Sequence, residues 1–247
     1  MYAYLQHYRS LGLCRRPGVE MSYCNHNYEL LADIVRRVSG RSFADYAHQR
    51  IFGPLGMSST FYVLPDSLHP RRVMHPSHSP FAEPPPEMVV AGSTLVSLNS
   101  PALEKLPSGG GGVFSTTGDL GIFGQTFLNR GTYGTNRLLG PRCVHEMTRN
   151  QIPGIGCEFP PGQLHSEASW GFGWIVHSDE KWARFHGSFL PLGTFSHSGA
   201  GGTAFWIDPV NEIVGVYLEA CIRFTMEDGH FWNYDLFQNL VTSAVAD

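Results

Sequence analysis

Hydrophobic and polar positions change their period along the chain, helical in the first half and strand-like in the last third. From Asn27, the apolar residues Tyr28, Leu31, Val35 and Val38 recur at intervals of three, four and three. This predicts an amphipathic helix with those residues on its buried face, stopped at Gly40. Ser42 with Asp45 three residues later reads as a cap for a shorter helix, with Phe43, Tyr46 and Ala47 on one face, ended by Pro54-Leu55-Gly56. Residues 62–107 lose periodicity, are rich in Pro and His and include Pro84-Pro85-Pro86, which predicts a long irregular excursion over the surface. Thr116 or Thr117 caps a third helix carrying Leu120, Phe123 and Phe127 on one face. Residues 134–139 form a turn, and Pro141 occupies the first position of a helix with Val144 and Met147.

After Trp170 the pattern shortens to that of strands, predicted over 171–176, 203–207 and 212–218, with Asp208-Pro209-Val210-Asn211 turning between the last two. Residues 212–218 are apolar at nearly every position, so both faces of that strand should be covered. A last stretch, 232–245, with Leu236, Leu240 and Val241, reads as a helix over the sheet. Helices, then antiparallel strands, then a terminal helix define an α+β fold. The expected organisation is one domain over 1–247, with a mostly helical and loop part at 1–165 and the antiparallel sheet and C-terminal helix at 166–247.

Composition narrows the class. Hydrophobic residues make up 42% and charged residues 15%, the balance of a chain with a buried core rather than a disordered one. Lys+Arg 17 against Asp+Glu 21 gives a net charge of -4, and no basic run interleaves with aromatics, so nucleic acid is not an expected partner. No apolar stretch reaches the length of a membrane span. The first residues lack the order of a signal peptide, and the compartment is left open. Cys14, Cys24, Cys143, Cys157 and Cys221 show neither a disulfide framework nor zinc spacing, which leaves inert thiols.

Two stretches carry chemistry. Pro17-Gly18 leads into Tyr23-Cys24-Asn25 at the mouth of the first helix, where a phenol and an amide two residues on suit proton transfer and substrate anchoring. His197-Ser198-Gly199-Ala200-Gly201-Gly202 precedes a buried strand, where small residues admit a substrate and a backbone N–H can donate to a developing oxyanion. Other patterns fall away on context. Gly199-x-Gly201-x-x-Ala204 fits a dinucleotide fingerprint only formally, because a strand and not a helix follows. Gly109 to Gly112 lack the Gly-Lys-Ser/Thr of a phosphate loop and read as a flexible turn before a capped helix. His75 and His78 stand in a Pro-rich loop, and His145-Glu146 lacks the second histidine of a zinc protease, so no metal or cofactor is expected. Paired carboxylates show no distinctive spacing.

Pro-Gly-x-x-x-Ser-Tyr-x-Asn, the helix 28–40, Ile51-Phe-Gly-Pro-Leu-Gly-Met57, Gly110-Gly-Gly-Val-Phe-Ser-Thr-Thr-Gly-Asp-Leu120 and His197-Ser198-Gly199 follow one another in series. This order resembles the penicillin-recognising serine hydrolases, which include class C β-lactamases, D-Ala-D-Ala carboxypeptidases and β-lactamase-fold esterases. The resemblance runs from about residue 17 to the end. It implies a β-lactamase/transpeptidase-like fold, an antiparallel sheet flanked by helices with a helical subdomain. It also implies an acyl-enzyme route on an amide, lactam or ester of a small molecule or peptide.

In that scheme a Ser-x-x-Lys supplies nucleophile and lysine. Tyr23 matches the proton-shuttling tyrosine and Asn25 the asparagine that holds the acyl group. His197, Ser198 and Gly199 match the third motif, with Ala200 offering the oxyanion N–H. A lysine beside Tyr23 would draw its pKa below the ordinary value near ~10. The only Ser-x-x-Lys in the chain is Ser178-Asp-Glu-Lys181, in a charged turn downstream of Tyr23, and there is no Gly-x-Ser-x-Gly elbow. The resemblance therefore implies a chain without the family's catalytic helix and first strands. It is either truncated, which the start at Met1 favours, or a member without the nucleophile. A non-catalytic protein retaining the cleft is the alternative expectation.

Overall fold

The structure, a computed structural model, describes residues 12–13, 15–74, 89–90, 93–94, 107–158, 164–178, 187–199, 202–220 and 232–245. Helices dominate the first part. α1 (Asn25–Ser39) ends at Gly40 in the left-handed region, with φ 69°, as the stop signal predicts. α2 (Phe43–Ala47) starts at Ser42, whose hydroxyl accepts the Asp45 N–H at 3.0 Å. It continues into a π-helical turn (His48–Phe52) and a short helical turn (Gly53–Leu55), and Gly56 ends the run at φ 73°. A 3-10 turn (Asp66–Arg71) and the hairpin β1 (Val89–Val90) with β2 (Ser93–Thr94) follow. His75, His78 and Pro84 to Pro86 lie outside the described residues.

α3 (Thr117–Leu128) is capped by Thr116, whose hydroxyl accepts the Asp119 N–H at 3.2 Å. The turn expected at 134–139 is a hairpin of β3 (Thr132–Tyr133) and β4 (Asn136–Arg137), with Gly134 at φ 57°. α4 (Pro141–Thr148) begins at its proline. A small hairpin, β5 (Cys157–Glu158) with β6 (Leu164–His165), precedes the main sheet. That sheet consists of β7 (Ile175–Val176), β8 (Phe195–Gly199), β9 (Thr203–Asp208) and β10 (Ile213–Tyr217), antiparallel in the order β10-β9-β8-β7. α5 (Trp232–Ser243) closes the described chain.

Register assigns the two faces of the sheet. Phe195 pairs with Ile207 on the face where Phe127 of α3, Val144 of α4 and Trp174 complete a core cluster. Ser196 pairs with Trp206 on the opposite face, where Trp206 and Tyr217 meet Phe237 of α5 at 5.8 and 5.4 Å between ring centroids. β10 is therefore packed on both sides, as its apolar run predicts. Gly215 is required there because a Cβ would collide with the Trp206 ring, and Gly124 of α3 lets the helix settle against Val214. The predicted strand 171–176 is shorter than expected: only Ile175 and Val176 pair with β8, and Gly173 turns at φ 87° before them.

Three expectations are corrected. On α1 the buried residues are Glu29, Ala32 and Asp33, while Leu31 and Val38, expected inside, are 56% and 84% exposed. Close approach overrides hydrophobic period here. Small Ala32 admits the backbone at Gly109, Glu29 is bound by the turn at 108–110, and Asp33 is gripped by Arg36 and Arg37 at 2.7 Å each. On α5, Tyr234 and Gln238 are buried and Leu236 and Leu240 are exposed. Two amides set that rotation: Gln238 Oε1 accepts the Gly187 N–H at 2.7 Å and Asn239 Oδ1 the Phe189 N–H at 2.9 Å.

The third correction concerns the glycine run. Gly109 carries no side chain because a Cβ would strike the Tyr28 carbonyl and lie 2.9 Å from Ala32 Cβ. A Cβ on Gly110 would lie 3.2 Å from the Asn25 carbonyl oxygen. Gly109 and Gly110 are a packing surface for α1 rather than part of a flexible turn. No helix among the described residues is long and apolar enough to cross a membrane.

Candidate active site

Tyr23 stands one residue before Cys24, the extended residue that starts α1. Its approach is fixed by Met21, whose N–H donates to the Gly156 carbonyl at 2.9 Å and which bridges Cys157 in parallel register. The Tyr23 ring then packs on a cluster of Cys157, Ala168, Trp170 and Ile175. Three rings from separate segments converge. Tyr23 lies 5.8 Å from Trp170 and 6.2 Å from His197 between centroids, and Trp170 meets His197 edge-on at 5.8 Å. Trp170 is anchored through its carbonyl, which accepts the Gln151 N–H at 2.7 Å. Sequence reasoning used Trp170 only to mark where strands begin. Nothing in its local pattern marks a shelf between the two motifs.

His197 lies on β8 just beyond the residues that β7 covers. β7 pairs with Phe195 and Ser196, and at residues 197–199 β8 is paired, among the described residues, with β9 alone. The third motif thus sits on an inner strand, just past its pairing with β7. His197 Nδ1 is 2.7 Å from the Ser198 carbonyl oxygen. A carbonyl only accepts, so Nδ1 carries the hydrogen and Nε2 is the bare nitrogen. Burial pushes the imidazole below its ordinary pKa, only partly offset by the Ser198 carbonyl, and the ring is neutral near pH 7.

The surroundings of Tyr23 within this chain shift its titration upward. Burial first, then Tyr28 and Cys24, push its phenol above 10.0. As a neutral phenol it is a hydrogen-bond donor and acceptor rather than a ready base.

Asn25 is the first residue of α1 and is exposed, with Gly110 against its backbone. Behind it, the buried Glu29 carboxylate accepts the Ser108 hydroxyl and the N–H groups of Gly109 and Gly110, at 3.2 and 3.3 Å for the latter two. This cradle fixes the glycine turn to the helix that carries Asn25. Glu29 went unnoticed in the sequence because the apolar period of α1 puts Tyr28 and Leu31 inside and the glycine turn lies far along the chain.

Ser198 points the other way. Successive side chains of a strand alternate faces, so Ser198 shares the face of Ser196 and Trp206, which packs toward α5, and not that of His197. Gly199 leaves room for the Thr203 hydroxyl, which a Cβ would strike. Ala200, like Ser178 to Lys181 in its latter part, falls outside the described residues. The structure therefore brings together Tyr23 and His197 and places Asn25 two residues on from Tyr23, at the start of α1. It turns the Ser198 side chain to the opposite face. A cavity of about 650 Å³ at the end of α1, lined by Ile34, Val38, Tyr46 and Arg50 among others, contains none of these residues. No cluster of three metal-ligating side chains occurs among the described residues.

An antiparallel sheet between helices, with a Tyr-x-Asn before a helix facing a His-Ser-Gly strand, is the arrangement of a penicillin-recognising hydrolase fold. The chain belongs to the Beta-lactamase family, whose pattern it matches over residues 3–220. It is 28% identical over 218 residues to a putative D-alanyl-D-alanine carboxypeptidase from Escherichia coli, covering 82% of this chain and 45% of that protein. The chain thus spans about half the length of the curated relatives it matches. Solved structures share the fold. A β-lactamase from Mycobacterium bovis superposes with TM-score 0.65 at 23% identity, over 93% of this chain and 66% of that one. EstA from Arthrobacter nitroguajacolicus gives 0.71 at 17%, over 99% and 66%. A penicillin-binding protein homologue from Caulobacter crescentus gives 0.59 at 22%, over 78% and 50%.

Proposed function

We propose that this chain carries the substrate-facing part of a serine hydrolase of the β-lactamase family, organised as one domain over 1–247. Its substrates would be amides, lactams or esters of small molecules or peptides, opened through an acyl-enzyme. The observation that carries the reading is the meeting of Tyr23 and His197 where β8 runs past its pairing with β7, with Asn25 at the start of the adjoining helix. In this scheme Tyr23 relays the proton between nucleophile and leaving group, and Asn25 holds the acyl chain. His197 accepts a hydrogen bond at Nε2, and Ala200, by the family resemblance, supplies the oxyanion N–H. A histidine in place of lysine in the third motif, with EstA and a carboxypeptidase among the relatives, leans the substrate toward esters or peptides.

These 247 residues hold no Ser-x-x-Lys ahead of Tyr23. Taken by themselves they should therefore hydrolyse slowly or not at all, because such groups act as a unit. Assays with nitrocefin and p-nitrophenyl butyrate test this: no turnover above the uncatalysed rate is expected. Turnover lost in Tyr23→Phe would overturn the impaired part of the reading and uphold the catalytic part.

A second reading is favoured by the neutral Tyr23 phenol, whose pKa burial raises and which can donate and accept hydrogen bonds to a bound ligand. It is a non-catalytic protein that retains the cleft for binding. Calorimetry with an acyl-D-amino acid separates the two: binding without turnover supports this second reading, and no heat sinks it.

A further inference from the structure

Trp170 stands at the third corner of a triangle whose other corners are Tyr23 and His197. Its ring centroid lies 5.8 Å from each of theirs, which are 6.2 Å apart. The indole is buried with Cys157, Ala168 and Ile175, so it backs the pair with apolar surface. The turn that delivers it is held in a conformation that side chains disfavour. Ser169 is buried at φ 39°, in the left-handed region. Such a conformation persists where the surroundings over-determine it. Here the Ser169 carbonyl accepts the Val176 N–H at 3.0 Å, and the Trp170 carbonyl accepts the Gln151 N–H at 2.7 Å. The Gly171 N–H donates to the Trp174 carbonyl at 2.8 Å. A Cβ on Gly171 would strike the Met147 carbonyl, so the backbone is fixed after the indole as well as before it.

We propose that Trp170 is a positioning residue for the site: its indole sets the separation and tilt of the Tyr23 and His197 rings and keeps water from their inner side. Aromatic rings prefer edge-to-face and offset contacts to a face-to-face sandwich. Trp170 meets His197 edge-on at 69° and Tyr23 tilted at 39°, so one indole constrains the planes of both rings. An aliphatic side chain would fill the space without imposing a plane on either. The same indole supplies apolar surface beside the imidazole, whose burial lowers its pKa. This role rests on the reading of Tyr23 and His197 as site residues, but the ring geometry does not depend on turnover.

The test is proton nuclear magnetic resonance of the full 247-residue chain. The two rings are assigned by loss of their signals in His197→Asn and Tyr23→Leu. The wild-type chain should show a cross-relaxation peak between them and a His197 titration below 6.5. Trp170→Leu, which keeps an apolar side chain but no ring, should lose the peak, and the His197 titration should rise toward 6.5. Trp170→Phe should keep the peak. Val144→Ala, which opens a cavity in the other core cluster, should cost stability and leave both readings unchanged.

A wild-type peak or an unmoved titration in Trp170→Leu would overturn the proposal. So would equal changes in Val144→Ala, since the effect would then be general loosening of the core. Loss of the peak in Trp170→Phe as complete as in Trp170→Leu would overturn it too, because bulk and not the ring plane would be at work. Should Trp170→Leu fail to fold, by its far-ultraviolet dichroism, Trp170→Met decides on the same readings. Absence of hydrolysis and of acyl-D-amino acid binding, with the peak present in the wild type and lost in Trp170→Leu, counts against the function proposed above and not against Trp170.

Discussion

The rings of Tyr23 and His197 face each other at 6.2 Å between centroids, tilted by 46°, and burial shifts their titrations in opposite directions. The phenol is pushed up and the imidazole down. Both are neutral across the physiological range, so the pair is coupled by hydrogen-bonding capacity rather than by charge.

Stability should therefore fall at both ends of the pH scale. Between the folded and unfolded pKa of His197, the unfolded chain binds more protons, so stability rises with pH there. The His197 contribution is full above the ordinary 6.5 and is lost as pH falls through the lower folded value. For Tyr23 the contribution is full below 10.0 and is lost as pH rises through the higher folded value. Urea midpoints from pH 5 to 11 check this. His197→Asn should flatten the acid limb and Tyr23→Phe the alkaline limb; limbs unchanged in both variants would contradict the assignment.

Glu29 links packing to titration in a second place. Its carboxylate accepts two backbone N–H groups and the Ser108 hydroxyl. Glu29→Gln replaces one acceptor oxygen with a donor among donors and should cost about 1–3 kcal/mol. The same carboxylate contributes, after burial, to pushing the Tyr62 phenol up to about 12. In Glu29→Gln the Tyr62 transition, read at 295 nm against Tyr62→Phe, should move down but stay above 10.0. No movement would show that burial alone sets it.

Gly109→Ala should destabilise without altering the chemistry of any side chain. The added methyl meets the Tyr28 carbonyl, which is part of the α1 backbone and cannot swing aside. Overpacking of this kind costs about 1–3 kcal/mol. Gly111→Ala, with nothing within 4 Å of its Cβ, is the control and should be nearly silent in the same denaturation experiment.

Much of this was legible in the sequence because it is local. Gly40 and Gly56 end their helices, Ser42 and Thr116 cap theirs, and Pro141 opens α4. The motifs at Tyr23 and His197 stood out because their residue types are rare in combination. The rotation of α1 and α5 was not legible. Which face of a helix is buried depends on what lies beside it, and there the neighbours were a glycine turn and a loop of bare backbone. Polar groups with partners, Glu29 and Gln238, went inside, and leucines stayed out. Trp170 was missed for a related reason: its role comes from contacts distant in sequence, which no period records.

The rotation of α1 yields the sharpest test of packing against pattern. By period, Val38 belongs inside and Ala32 is incidental. By structure, Val38 is 84% exposed and Ala32 is 1% exposed against the glycine turn. Val38→Lys should then change stability by no more than about 0.5 kcal/mol, as surface substitutions do. Ala32→Leu should cost about 1–3 kcal/mol by overpacking, because the backbone at Gly109 occupies the space. Urea denaturation of the two variants reads the difference directly. The reverse order, Val38→Lys costly and Ala32→Leu tolerated, would mean that α1 is rotated to bury its apolar stripe, and the Glu29 cradle would go with it.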